Sequence, residues 1–148
     1  MMLNYEDARS LVFQNVKPLE KYNCPLTESQ GLAISDDILA PHGIPSFDNS
    51  GVDGFAVNEK DLAYASNKNP VLLENQGYIA AGSSGHEKIN SGQCMQIATG
   101  APLPKGANSV VMKEDIVIEG SIVKFTRSIR EKENVRYLGE DITEGDSI

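Results

Sequence analysis

Ile116-Val117-Ile118-Glu119-Gly120-Ser121-Ile122-Val123-Lys124-Phe125 is the stretch whose reading decides the fold class. Two apolar runs rich in β-branched residues flank a short polar turn that contains glycine, which is the pattern of a β-hairpin and not of a helix. Runs of the same kind recur upstream at 55–57, 70–74, 77–81, 94–98 and 109–112, each bounded by Gly, Pro, Asn or Ser. Asn58 stands where it can cap a small helix, with Asp61 at the third helical position and Leu62 packing inward. Downstream, 135–137 reads as a further strand ahead of Gly139-Glu140-Asp141. Strands do not alternate with helical patterns here, which argues against a parallel nucleotide-binding sheet.

The N-terminus departs from this pattern. Ala8, Leu11, Val12 and Val16 recur at helical spacing, Asn4 can cap, and Pro18 stops the run, so residues 5–16 are predicted to form an amphipathic helix. Thr27 is expected to cap one turn that ends at Gly31. Leu32, Ile34, Ile38 and Ala40 then alternate, interrupted by Asp36, and read as a strand. Pro41-His42-Gly43-Ile44-Pro45 is punctuation, and a lobe boundary is expected there. The predicted fold is thus mainly β with an N-terminal helix, an α+β arrangement. It has two lobes: residues 1–45 with 136–148 form a discontinuous first lobe, and 46–135 an inserted β-rich second.

The chain has 148 residues and a formal net charge of −8. An acidic surface repels polyphosphate and anionic membranes, so neither nucleic acid nor a membrane is expected as a partner. Hydrophobic residues make up 40% and charged residues 23%, an ordinary globular balance that argues against disorder. Cys24 and Cys94 form no CxxC pair, which argues against a disulfide framework or a cysteine zinc site and suits a reducing compartment. With no secretory pattern at the N-terminus, a cytoplasmic protein is expected.

Three polar loops can carry chemistry. There is no P-loop, His42 and His86 stand alone, Ser83 and Ser84 lie in no nucleophile elbow, and the glycine-rich stretch 77–85 reads as a structural loop. The first candidate is Phe47-Asp48-Asn49-Ser50-Gly51-Val52-Asp53-Gly54-Phe55. It is either a set of Asx and Asp-Gly turns or a functional cluster of acceptors on a rigid scaffold. The second is Ala98-Thr99-Gly100-Ala101-Pro102-Leu103-Pro104-Lys105-Gly106, either a stiff crossover or a loop that Gly100 opens to a ligand. The third is Val135-Arg136-Tyr137-Leu138-Gly139-Glu140-Asp141-Ile142. A carboxylate there binds a cation, positions water, or pairs with Arg136, and the ion pair is the reading that local sequence favours.

In this order the three loops resemble the N-terminal region of the MoeA family of molybdopterin molybdenumtransferases, which includes the gephyrin E domain. The matching stretches are Pro45 to Val57, Ala98 to Glu114 and Asn134 to Ile142. The resemblance implies an enzyme that joins molybdate to adenylylated molybdopterin, releasing AMP and giving the molybdenum cofactor with support from Mg²⁺. It further implies an elongated homodimer, in which this region completes a site on the other chain. The family's functional residues fall on Asp53, Thr99 and Asp141, and Asp48, Asn49, Ser50 and Gly100 are carried with them as substrate contacts. No residue is assigned as a metal ligand.

Three departures stand out. Gly51 and Val52 replace the family's Ala and Met, and Tyr137 stands where a second Arg is usual. Family members continue into an α/β domain and a small β domain beyond the matched region, so this chain is expected to be a piece of a longer protein and inactive alone. The rival reading is a non-catalytic dimerisation or docking module of the gephyrin type.

Overall fold

The computed structural model describes residues 3–148. The chain divides into two compact units, Met1–Asp37 and Ile38–Ile148.

In the first unit, Tyr5–Asn15 is the helix α1. Asn4 caps it as the sequence suggests: its side chain accepts the Asp7 amide at 2.9 Å, satisfying one donor that the first turn leaves open. Glu6 and Asp7 place negative charge at the positive end of the helix dipole. The helix stops at Asn15, one residue short of the predicted end, because Val16 is already extended. A single 3₁₀ turn covers Leu26–Glu28, but Pro25 and not Thr27 leads into it. Proline suits that position, since its φ is preset and it has no amide hydrogen to satisfy. The strand expected over 32–40 does not form. Asp36 instead takes side-chain partners, the adjacent Ser35 hydroxyl at 2.8 Å and the Lys21 ammonium 15 residues upstream, and Leu32 and Ile34 stay exposed.

The second unit carries eight strands: β1 (Asn49–Ser50), β2 (Gly54–Val57), β3 (Val71–Ile79), β4 (Gln93–Ile97), β5 (Ser109–Met112), β6 (Ile116–Glu119), β7 (Ile122–Phe125) and β8 (Val135–Arg136). Six of them form one sheet in the order β5-β2-β4-β3-β7-β6, and β1 pairs with β8. The decisive hairpin is present: β6 and β7 pair antiparallel, with Glu119 opposite Ile122, so Gly120-Ser121 is the whole turn. Gly120 has φ 65°, a left-handed conformation that a side chain would disfavour. The predicted strands 70–74 and 77–81 are one continuous strand, β3. Gly77 does not break it, because the irregularity between Asn75 and Tyr78 is absorbed in the pairing with β4. There the Asn75 side-chain oxygen accepts from the amides of Gly77 at 3.2 Å and Gln96 at 3.3 Å. That β3–β4 pair is parallel, joined by irregular chain and not by a helix.

The core explains the short apolar runs. Phe55, Val57, Leu73, Cys94, Val111, Val123 and Phe125 pack together on one face of the sheet. Ala56, Ile79, Met95, Ile97 and Val110 pack on the other. Successive residues of β2, β4 and β5 therefore enter different clusters, as the period of two demands. A sheet covered on both faces needs runs that are apolar throughout rather than alternating. Segment 38–45 runs back against the end of the chain: Ala40 N–H donates to Asp146 O at 2.8 Å, and Ile44 N–H to Ile142 O at 2.8 Å.

Candidate functional site

The site forms where β2 begins. In the antiparallel ladders Gly54 lies opposite Ile97 of β4 and opposite Met112 of β5. One residue outward along both ladders, Asp53 meets the start of the 98–106 loop on one side and Lys113 on the other. Gly54 makes this crowding possible. A Cβ on it would stand 2.1 Å from the Val111 carbonyl oxygen, far inside contact distance.

Asp53 and Thr99 are brought together. The Thr99 amide donates to Asp53 Oδ1 at 2.8 Å, and the Thr99 hydroxyl donates to the same oxygen at 2.9 Å. Those bonds from Thr99, first the amide and then the hydroxyl, hold the Asp53 carboxyl below its ordinary value of 3.8, with the Lys113 charge a smaller help. Asp53 is therefore an anion at neutral pH, an acceptor and not an acid. Its other oxygen, Oδ2, has the Lys113 ammonium 3.9 Å away. The Lys113 amide donates to the Asp53 carbonyl at 3.3 Å.

Asp48, Asn49 and Ser50 stitch the loops together. Ser50 is fully buried and Asn49 is 7% exposed. The Ser50 amide donates to Ala101 O at 3.0 Å, and Ser50 O accepts the Gly100 amide at 2.8 Å. The Ser50 hydroxyl bonds Val52 O, and the Asn49 side-chain amide donates to Phe47 O at 3.2 Å. The Asp48 carboxylate accepts the Leu138 amide at 2.9 Å across 90 residues of sequence. Asn49 and Ser50 face Arg136 and Val135 in the β1–β8 ladder. All three motif loops thus meet at β1. Gly100 has φ 78°, with open space beside its Cα.

Asp141 sits apart from that turn in bonding terms. Its carboxylate pairs with Arg136, the partner that local sequence suggested, and its amide donates to Ile44 O at 2.9 Å. Among the described residues, no hydrogen bond or ion pair joins Asp141 to Asp53 or Thr99. Tyr137, at the position of the family's second Arg, donates its hydroxyl to Lys132 O at 3.3 Å while the Lys132 ammonium lies 4.9 Å from the ring centre.

Magnesium needs several oxygens in near-octahedral array. Among the described residues no group of three or more His, Cys, Asp or Glu side chains converges. Asp53 offers one uncommitted oxygen with an ammonium beside it, and Asp141 shares its charge with Arg136. The side chains of this chain do not by themselves fit a Mg²⁺ site. A cavity of about 400 Å³, lined by residues such as Glu114, Asp115 and Arg127, includes none of Asp53, Thr99 or Asp141.

Lys113 is the site residue that sequence reasoning passed over. It stands between Met112 and Glu114, at the end of the second matching stretch, and only the β2–β5 register brings it to Asp53.

The family profile described as MoeA N-terminal region (domain I and II) matches residues 3–148. The chain is 34% identical over 143 residues to a molybdopterin molybdenumtransferase of Staphylococcus epidermidis, covering 97% of this chain and 34% of that protein. It is likewise 34% identical over 151 residues to the enzyme of that name from Synechococcus elongatus, covering 100% of this chain and 38% of the relative. Among solved structures, a molybdopterin biosynthesis moeA protein from Pyrococcus horikoshii superposes with a TM-score of 0.88 at 30% identity, covering 100% of this chain and 39% of that one. The chain spans a little over a third of the length of these relatives.

Proposed function

The chain belongs to the MoeA N-terminal region family, and from that premise we propose that it is the N-terminal part of a molybdopterin molybdenumtransferase. In this reading the whole enzyme inserts molybdate into adenylylated molybdopterin, with release of AMP. The observation that carries it is the double hydrogen bond from Thr99 to Asp53 Oδ1. It spends one oxygen of the carboxylate on the scaffold, keeps the group ionised, and leaves Oδ2 to accept a hydrogen bond from substrate or water. Thr99, having donated both its amide and its hydroxyl, can offer a substrate only its lone pairs.

Asp141 fixes the Arg136 guanidinium at the edge of the same three-loop hub and serves through it. Asp48, Asn49 and Ser50 hold the hub in shape, and Gly100 leaves room for a substrate to approach. The lobe division, 1–45 with 136–148 around 46–135, belongs to this reading; the bonds between 38–45 and 139–148 support the pairing of those two segments. Met1 and Met2 of that first lobe lie outside the described residues. A homodimer rests on the resemblance alone, and a cytoplasmic location on the sequence reading of the N-terminus and the cysteines. No step is assigned to Mg²⁺, which these residues do not fit.

The region by itself is read as inactive. Apart from the Lys113 ammonium, the donors around Asp53 are spent within the protein, so the region lacks the cluster of positive charge that phosphoryl chemistry requires. Complementation tests this. In a strain unable to insert molybdenum, the complete gene encoding this region should restore cofactor formation, and residues 1–148 alone should not. No rescue by the complete gene would refute the enzyme, and rescue by 1–148 would refute the dependence on the remaining chain.

A further inference from the structure

Thr99 N–H and Oγ1–H both go to Asp53. The next two amides are also spent, Gly100 N–H on Ser50 O at 2.8 Å and Ala101 N–H on Ala98 O at 3.0 Å. The 99–101 loop therefore has no donor left for an anion. Lys113 does. Its Nζ is 3.9 Å from Asp53 Oδ2, beyond the range of a normal N–H···O bond, and its side chain is 57% exposed. Its main chain is held in place by the bond from its amide to Asp53 O at 3.3 Å. Among the described residues, a tethered ammonium thus stands beside the one free oxygen of Asp53 with its three donors uncommitted.

We infer that Lys113 is a binding residue for the anionic group of the substrate, a phosphate or an oxyanion, brought to the Asp53–Thr99 turn. The ammonium is able to bridge Asp53 Oδ2 and an anion oxygen at once, offsetting the repulsion the carboxylate alone would exert. This inference rests on the enzyme reading above. It adds Lys113 to the residues that the resemblance assigns, Asp53, Thr99 and Asp141.

The test uses the full-length enzyme and its Lys113→Gln and Lys113→Arg variants. KM is measured separately for adenylylated molybdopterin and for molybdate. Lys113→Gln should raise one of the two by about tenfold, with kcat within about twofold of the parent and with Lys113→Arg restoring most of the loss. The substrate whose KM moves tells whether the anion is the phosphate or the oxyanion. That KM should also rise with salt more steeply in the parent than in Lys113→Gln, because an exposed charge contact is screened. Both KM values unchanged, or a fall in kcat without a change in KM, would overturn the inference while leaving the enzyme reading intact. An inactive parent would count against the enzyme reading itself, and the inference would fall with it.

Discussion

Thr99 donates twice to a single oxygen of Asp53, through its amide at 2.8 Å and its hydroxyl at 2.9 Å. Both bonds come from one residue, so the geometry of Asp53 depends on a hydroxyl that can be removed without disturbing the amide. Thr99→Val keeps shape and amide but deletes one donor to a charged acceptor. In the full-length enzyme it should lower activity by about tenfold, and Thr99→Ser should retain most of it. Steady-state assay of cofactor formation with each variant checks this. Equal loss in Thr99→Ser and Thr99→Val would show that the hydroxyl is not the relevant group.

The same clamp has a pH signature. Thr99 holds the Asp53 carboxyl below its ordinary 3.8. A depressed carboxyl pKa contributes stability that is complete above the unfolded value and is lost as pH falls through the folded value. The clamp should therefore persist at mildly acidic pH and fail only below the ordinary carboxylate range. Carboxyl-carbon NMR of Asp53 should titrate below 3.8 in the parent and closer to that value in Thr99→Val. A midpoint at or above 3.8 in the parent would contradict the bonding described.

Two neighbouring glycines should answer the same substitution in opposite ways. A Cβ on Gly54 would lie 2.1 Å from Val111 O, so Gly54→Ala must push β2 away from β5 or prevent folding. A loss of about 3 kcal/mol or more is expected, at the upper end of overpacking costs. At Gly51 the nearest atom to an added Cβ is Asn134 O at 3.4 Å, an ordinary contact. Gly51→Ala, which restores the family's residue, should be neutral or stabilising by up to about 1 kcal/mol through the unfolded chain. Thermal melts of the two variants test the pair directly.

The two cysteines should differ in reactivity. Both are free; Cys94 is buried in the sheet core and Cys24 is half-buried. Burial pushes the Cys94 thiol up to about 12, which suppresses the reactive thiolate at neutral pH. A thiol reagent at neutral pH should label Cys24 in the native protein and reach Cys94 only after denaturant is added. Mass spectrometry of the labelled peptides reads this out, and rapid labelling of Cys94 without denaturant would contradict the packing.

The elements that sequence made legible are those fixed by local chemistry. Asn4 caps because its neighbours alone decide it. The hairpin closes on Gly120-Ser121 because a left-handed turn between two apolar runs needs no distant partner. What was misread depended on partners far along the chain. Leu32, Ile34 and Ile38 alternate like a strand, yet Asp36 pairs with Lys21, 15 residues upstream, and no strand forms there. Gly77 looks like a break, but Asn75 supplies the acceptor that carries β3 across the irregularity. The motif loops single out Asp53 and Asp141 only through resemblance, while their geometry lies in registers that no local pattern encodes. The pairing of Gly54 with both Ile97 and Met112 is what sets Asp53 between Thr99 and Lys113.

The most direct measurement of the central claim is molybdenum insertion by the full-length enzyme carrying Asp53→Asn. Asparagine keeps an oxygen that can accept both bonds from Thr99, so the turn should survive and only the charge is lost. Circular dichroism and melting should match the parent. Cofactor formation should fall by about a hundredfold or more, the usual cost of removing a preorganised charge from a reacting centre. Activity within about twofold of the parent in a folded Asp53→Asn enzyme would contradict the account.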